Sequence, residues 1–188
     1  MDRQGNIKLT DFGLAREFGQ PNKELTKNVA TRWYRPPEIL FGASFYGEGI
    51  DMWALGCILA ELYLREPIFK GDGDIDQLSK IFGIIGTPDE ENWPNAKKLP
   101  YFFEFEKTDP VPLKSLIPTA SPDAIDLIIN LLRLDPQKRI GTEEVLNHPF
   151  FKIPVGERSY TKRLGELDLT VTLDGSAGNS GNRIDAFS

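Results

Sequence analysis

Few residues of this chain combine reactive chemistry with a suggestive setting. Asp11-Phe12-Gly13 puts a carboxylate directly after an alternating stretch, Asn6-Ile-Lys-Leu-Thr10, but as a tripeptide alone it says little. His148, the only histidine, invites a general-base role because an unperturbed imidazole titrates near neutral pH. Cys57, the only cysteine, leaves no internal disulfide to form. It sits among Leu55, Gly56, Ile58 and Leu59 with nothing nearby in sequence to favour a thiolate, so it reads as core packing rather than a reactive thiol.

The larger opportunity for chemistry is a segment. From Asp11 to Arg35 neither a helical nor an alternating period is sustained, and Gly13, Gly19 and Pro21 interrupt scattered charges. Ordered loops of such length inside a compact domain are uncommon and are usually functional. The stretch before it reads as a short strand leaving a hairpin, half of which would lie upstream of Met1.

The elements that must position this loop follow it. Pro36 to Leu40 can open a short helix, with Glu38 suited to the helix dipole. Asp51 to Leu64 is apolar on nearly every face, the pattern of a central buried helix, and is too short to span a bilayer. Over Asp74 to Ile85, the residues Ile75, Leu78, Ile81, Phe82 and Ile85 recur at helical spacing, with Asp76, Gln77 and Lys80 on the solvent side. Prolines at 88, 94, 100, 110, 112 and 118 exclude a continuous helix or central strand, so 86–120 reads as an irregular insert whose aromatic run, Tyr101 to Phe105, packs inward.

Ser121-Pro122-Asp123 starts another helix, with Ile125, Ile128, Ile129 and Leu132 marking one face and Asp135-Pro136 ending it. Thr142 caps a last short helix to Leu146. Beyond Val155 the apolar pattern fades and Asp174 to Asn182 is rich in Gly, Ser and Asn, so 153–188 reads as a flexible tail.

Composition bounds the class. At 188 residues, 40% hydrophobic and 27% charged, the chain suits one globular domain with a tail. A formal charge of -6 argues against a polyanion as main partner, so neither direct nucleic-acid binding nor membrane binding is expected. With no apolar signal region at the N-terminus, an intracellular protein is the default.

Taken in order, Asp11-Phe-Gly13, Pro37-Glu38, Asp51-Met-Trp-Ala-Leu-Gly56 and Arg139 within Asp135-Pro-Gln-Lys-Arg-Ile follow the signature set of protein kinases. Residues 1–152 therefore resemble a eukaryotic protein kinase from its metal-binding triplet to the end of its large lobe. Thr31-Arg-Trp-Tyr-Arg-Pro-Pro-Glu38 resembles the cyclin-dependent (CMGC) group more narrowly. Phe41 to Trp53, and Gly73 to Phe82 with Gly86-Thr-Pro88 beyond it, look most like the catalytic subunits of CDK-activating kinases.

The resemblance implies a protein-kinase-like α+β fold truncated to its mainly α-helical C-terminal lobe, with 11–38 as the activation segment. It implies transfer of the ATP γ-phosphate to Ser or Thr, directed by a following proline. Asp11 would be the Mg2+ ligand, and Phe12 and Gly13 would complete its share of the ATP-Mg2+ site. Thr26 would be the activating phosphosite, with Arg16 among the arginines that gather its phosphate. Thr31 would support the catalytic loop, and Arg35 with Ala30 would line the substrate pocket, Ala30 departing from the usual valine. Glu38 and Arg139 would form a buried ion pair, Asp51 would brace the catalytic loop, and His148 would be a packing element of the large lobe.

Partners implied in the same way are protein substrates and a cyclin of the H type, in the nucleus or also the cytoplasm. The Gly-rich loop, the phosphate-binding strand lysine, the small-lobe helix Glu and the His-Arg-Asp loop have no counterpart in these 188 residues. No catalytic-loop Asp is therefore expected in this chain, and in isolation it should neither bind ATP well nor turn over. The alternative is a non-catalytic module that binds substrates or assembly partners.

Overall fold

The computed structural model describes residues 7–15, 31–44 and 46–152. In them the chain forms α1 (Pro37–Leu40), α2 (Gly49–Leu64), α3 (Asp74–Ile85), α4 (Leu113–Leu116), α5 (Pro122–Leu131), α6 (Thr142–Leu146) and α7 (Pro149–Lys152). Single 3₁₀ turns lie at Phe12–Leu14, Arg32–Tyr34 and Ala96–Lys98. No strand occurs among the described residues, which corrects the strand expected before Asp11: Ile7 and Leu9 are each 85% exposed. Alternation can mark a strand, but only a paired ladder makes one, and the described residues supply no second strand. The expected tail, 153–188, lies outside the described residues.

The core is built where α2 meets α5. Trp53, Cys57 and Ala60 from the first pack with Ala124, Leu127, Ile128 and Leu131 from the second. Gly56 sits at the crossing, where an added Cβ would stand 2.8 Å from Leu131 Cβ and 2.9 Å from Leu132 Cδ2, so the closeness of the two helices depends on its bare backbone. Ser121 Oγ accepts the Ala124 N–H at 3.2 Å and starts α5 at the expected position.

Four details differ from the sequence reading. Helix α2 is not buried all round, since Leu55, Ile58 and Leu62 are 39%, 48% and 73% exposed; apolar residues state what a helix can bury, and the neighbours decide what it does bury. In α5 the buried face is turned toward Ala124 and Leu127, leaving Ile129 exposed. In α3 Gln77 is buried and Ile75 exposed, because hydrogen-bond partners are waiting for the amide. In α6 the capping position is Gly141, whose N–H reaches Glu144 Oε2 at 3.1 Å, while the Thr142 hydroxyl turns away to Glu48 Oε2 at 3.3 Å.

The insert is closed at its neck by Thr87 N–H to Thr108 O at 3.0 Å and Val111 N–H to Ile84 O at 2.9 Å. Its aromatics gather on the base of the core: Phe41 lies 6.0 Å from Trp93 and 5.2 Å from Phe102 between ring centroids, and Phe105 meets Phe82 edge-on at 4.8 Å. Tyr101 and Phe103 stay exposed. No helix among the described residues is long and apolar enough to cross a membrane.

Candidate functional site

The best-defined polar centre joins residues far apart in sequence. Arg139 Nη1 and Nη2 form a two-pronged pair with Glu38 Oε1 and Oε2 at 2.8 and 3.0 Å, with both side chains buried. The remaining guanidinium donors reach Gly49 O at 2.6 Å, Arg133 O at 3.1 Å and Leu134 O at 3.5 Å. All five N–H groups of the fork are thus used. The guanidinium carbon also stands 5.1 Å from the centre of the Trp53 ring, a cation–π distance. Such complete satisfaction is what lets a charged pair persist in a dry interior.

From α1 the chain leads back to Thr31–Arg35, and these residues are fastened by their own polar contacts. Arg32 Nε meets Asp74 Oδ1 at 2.9 Å, the Trp33 indole N–H donates to Gly71 O at 3.2 Å, and Tyr34 OH donates to Glu61 Oε2 at 2.7 Å. That last bond holds the proton, and with burial and the Glu61 charge pushes the Tyr34 pKa up to about 12. Thr31 is exposed, and its carbonyl accepts the Tyr34 N–H at 3.0 Å. Arg35 is partly buried at the end of this turn. In the sequence, Arg32, Trp33 and Tyr34 counted only as part of the Thr31–Glu38 motif and Gln77 only as a solvent-side helix residue; none of them, nor Glu61, was given a site role.

Asp11 stands apart from this centre. It is exposed and takes a left-handed backbone, φ 63°, just before the turn Phe12–Leu14. That conformation is more accessible to Asp than to most side chains and holds the carboxylate on a tight bend. Phe12 is 69% exposed, and an added Cβ on Gly13 would meet Asp11 Oδ1 at 3.4 Å. No cluster of three or more His, Cys, Asp or Glu able to hold a metal occurs among the described residues. An exposed carboxylate on such a bend is open to a hard cation that keeps most of its own waters, the usual state of Mg2+ on proteins.

Asp51 is exposed in the first turn of α2, without a side-chain partner among the described residues. Arg16, Thr26 and Ala30 lie outside the described residues. His148 is buried: its Nδ1 accepts the Phe150 N–H at 3.2 Å, which leaves Nε2 as the protonated nitrogen facing Asp126 Oδ2 at 3.0 Å. Both nitrogens are occupied in joining α5 to α7, so the imidazole has no free edge for proton transfer. Cys57 is buried in the core, and burial pushes its thiol pKa well up, against the thiolate.

Residues 1–151 match the family model of the protein kinase domain. The chain belongs to the protein kinase family. Within it, Cyclin-dependent kinase 7 of Dictyostelium discoideum is 48% identical over 80% of this chain and 42% of its own length. Cyclin-dependent kinase D-1 of Arabidopsis thaliana is 49% identical over 78% of this chain and 37% of its own. Among solved structures, a chain of the CAK complex from Chaetomium thermophilum bound to ATP-gamma-S superposes with a TM-score of 0.76 at 42% identity, covering 81% of this chain and 49% of that one. The likeness is to cyclin-dependent kinases of the activating type, and the fold is protein-kinase-like. The chain spans less than half the length of these relatives.

Proposed function

We propose that this kinase-family chain is the C-terminal lobe of a cyclin-dependent serine/threonine kinase of activating type. In this reading the longer polypeptide transfers the γ-phosphoryl group of ATP to Ser or Thr hydroxyls of protein substrates. The observation that carries it is the Arg139–Glu38 fork, which holds the far end of the segment opened by Asp11 and so hangs Thr31–Arg35 from the helical base. Phosphoryl transfer depends on positioning and charge stabilisation more than on covalent chemistry, and an anchored loop supplies positioning.

Asp11, on the bend before Phe12 and Gly13, would hold Mg2+, and the bound ion would offset charge on the ATP phosphates. Thr31 would orient the catalytic loop, which Asp51 would brace from α2. Arg35, beside Ala30, would occupy a backbone carbonyl next to the substrate channel, favouring a following proline because proline brings no N–H to leave unpaired. Thr26, once phosphorylated, would draw Arg16 and order the loop. The similarity to Cyclin-dependent kinase 7 proteins and to the CAK complex supports a cyclin partner, taken here as the H type. Since the 188 residues contain no His-Arg-Asp sequence, the isolated chain would not turn over.

The test is a radiolabelled-ATP assay on a Ser-Pro peptide. It compares the full-length gene product bound to its cyclin, the same complex carrying Asp11→Asn, and the isolated chain. Label should enter the peptide only with the unmodified complex, and Asp11→Asn should lower kcat by at least about a hundredfold. Full activity in the Asp11→Asn complex, or none in the unmodified one, would overturn the reading.

A further inference from the structure

On α3 one of the side chains that periodicity assigns to solvent, Gln77, is at 0% exposure. Its Oε1 accepts the Gly71 N–H at 2.9 Å, and its Nε2 donates to Phe69 O at 3.3 Å and to Trp33 O at 3.4 Å. The Trp33 indole closes the circuit by donating to Gly71 O at 3.2 Å. The orientation of the amide follows from Gly71, whose N–H can face only an oxygen. A Cβ at Gly71 would collide with the Gln77 backbone, so the close approach requires glycine there. Outside the circuit, Arg32 Nη1 adds a bond to Asp72 O at 3.2 Å.

These contacts show how the stretch before α1 is held. Trp33 is still 36% exposed, so apolar burial gives it only a partial seat, and the directional bonds to the chain preceding α3 and to its first turn decide where its backbone lies. A side chain of equal volume without the amide would leave the Gly71 N–H and two carbonyls short of partners in a closed site. We infer that Gln77 is a positioning residue: it sets Thr31–Arg35 against the peptide substrate and thereby governs selection of the residue after the phosphorylated hydroxyl. The inference rests on the kinase reading given above.

The experiment uses the full-length kinase with its cyclin and two peptides that differ only in Pro or Ala after the target Ser. Gln77→Met keeps the volume and removes the circuit's amide. It should raise the Pro-peptide KM about tenfold and shrink the Pro/Ala discrimination about fivefold, with kcat and the ATP KM within about twofold. Trp33→Phe, which removes one bond, should shift KM and discrimination in the same direction by less, and it decides the matter if Gln77→Met fails to fold. A merely structural role would lower kcat for both peptides equally and leave the Pro/Ala ratio intact, and that result overturns the inference alone. A wild-type complex that treats the two peptides alike overturns it as well. A wild-type complex that phosphorylates neither peptide sinks the kinase reading, and this inference with it.

Discussion

Two polar regions of the molecule are treated in opposite ways. At the base, Glu38 and Arg139 are buried and every donor of the guanidinium is used. Elsewhere carboxylates and large apolar groups face outward: Asp11 is exposed, and on one side of α2 so are Asp51, Leu55, Ile58 and Leu62. The difference separates framework from chemistry. Groups that fix geometry find their partners within the described residues, whereas those proposed to meet ion, phosphate and catalytic loop are left open. Burial of a charge is tolerable only when its partners are built in, and an exposed carboxylate keeps its capacity to bind.

The sharpest way to break the contrast is at the base. Arg139→Met should destabilise the chain by about 3–5 kcal/mol, because it leaves the Glu38 carboxylate buried without a cation. Urea unfolding measures it, and adding Glu38→Gln should recover part of the loss; no recovery would mean that packing against Trp53, not charge, is what Arg139 contributes. Next in size is Gly56→Ala, which drives a methyl into Leu131 and Leu132 and should cost about 1–3 kcal/mol in the same assay.

That base was also the part most legible in sequence. Proline and glutamate at Pro37-Glu38 and the serine of Ser121-Pro122 act locally, and α1 and α5 begin as their types require. The three long helices lie where the apolar spacing put them, to within two residues at their starts. Which face each helix buries was read less well. Gln77 looked like a solvent residue until the chain preceding α3 brought the Gly71 N–H and the Phe69 and Trp33 carbonyls around it, and Ile75 looked buried with no neighbour to cover it. Periodicity reports hydrophobicity along one element, but partners outside it, here six, eight and 44 residues away, leave no mark in that element's own pattern. Asp11 was found through motif order, since nothing in its local composition distinguishes it from a turn residue.

A smaller effect tests the middle ground between the two regions, where Tyr34 is partly buried and bonded to the half-buried Glu61 carboxylate. The Tyr34 pKa is raised from 10.0 to about 12 by the bond to Glu61, so the folded state holds the phenol proton more tightly than the unfolded chain does. Stability from this group is therefore fully present below pH 10 and is lost as pH rises from about 10 to about 12. Tyr34→Phe should cost about 1–2 kcal/mol at pH 8 and remove that part of the alkaline decline, seen by urea unfolding across the pH range. A decline of the same depth in both proteins would show that the bond does not discriminate folded from unfolded.

The smallest effect on stability should come from the open face, and its smallness is the point. Leu62 is 73% exposed, and with Leu55 and Ile58 it forms an apolar stripe spaced along one side of α2. Removing a side chain that water already reaches creates no cavity, so Leu62→Ser should change unfolding free energy by no more than about 0.5 kcal/mol. The same substitution should reduce concentration-dependent association of the isolated chain in sedimentation velocity, because an exposed stripe of this kind is the surface most prone to stick. A loss above about 1 kcal/mol would mean that Leu62 is packed in the folded chain, and the division into a satisfied base and an open face would no longer hold.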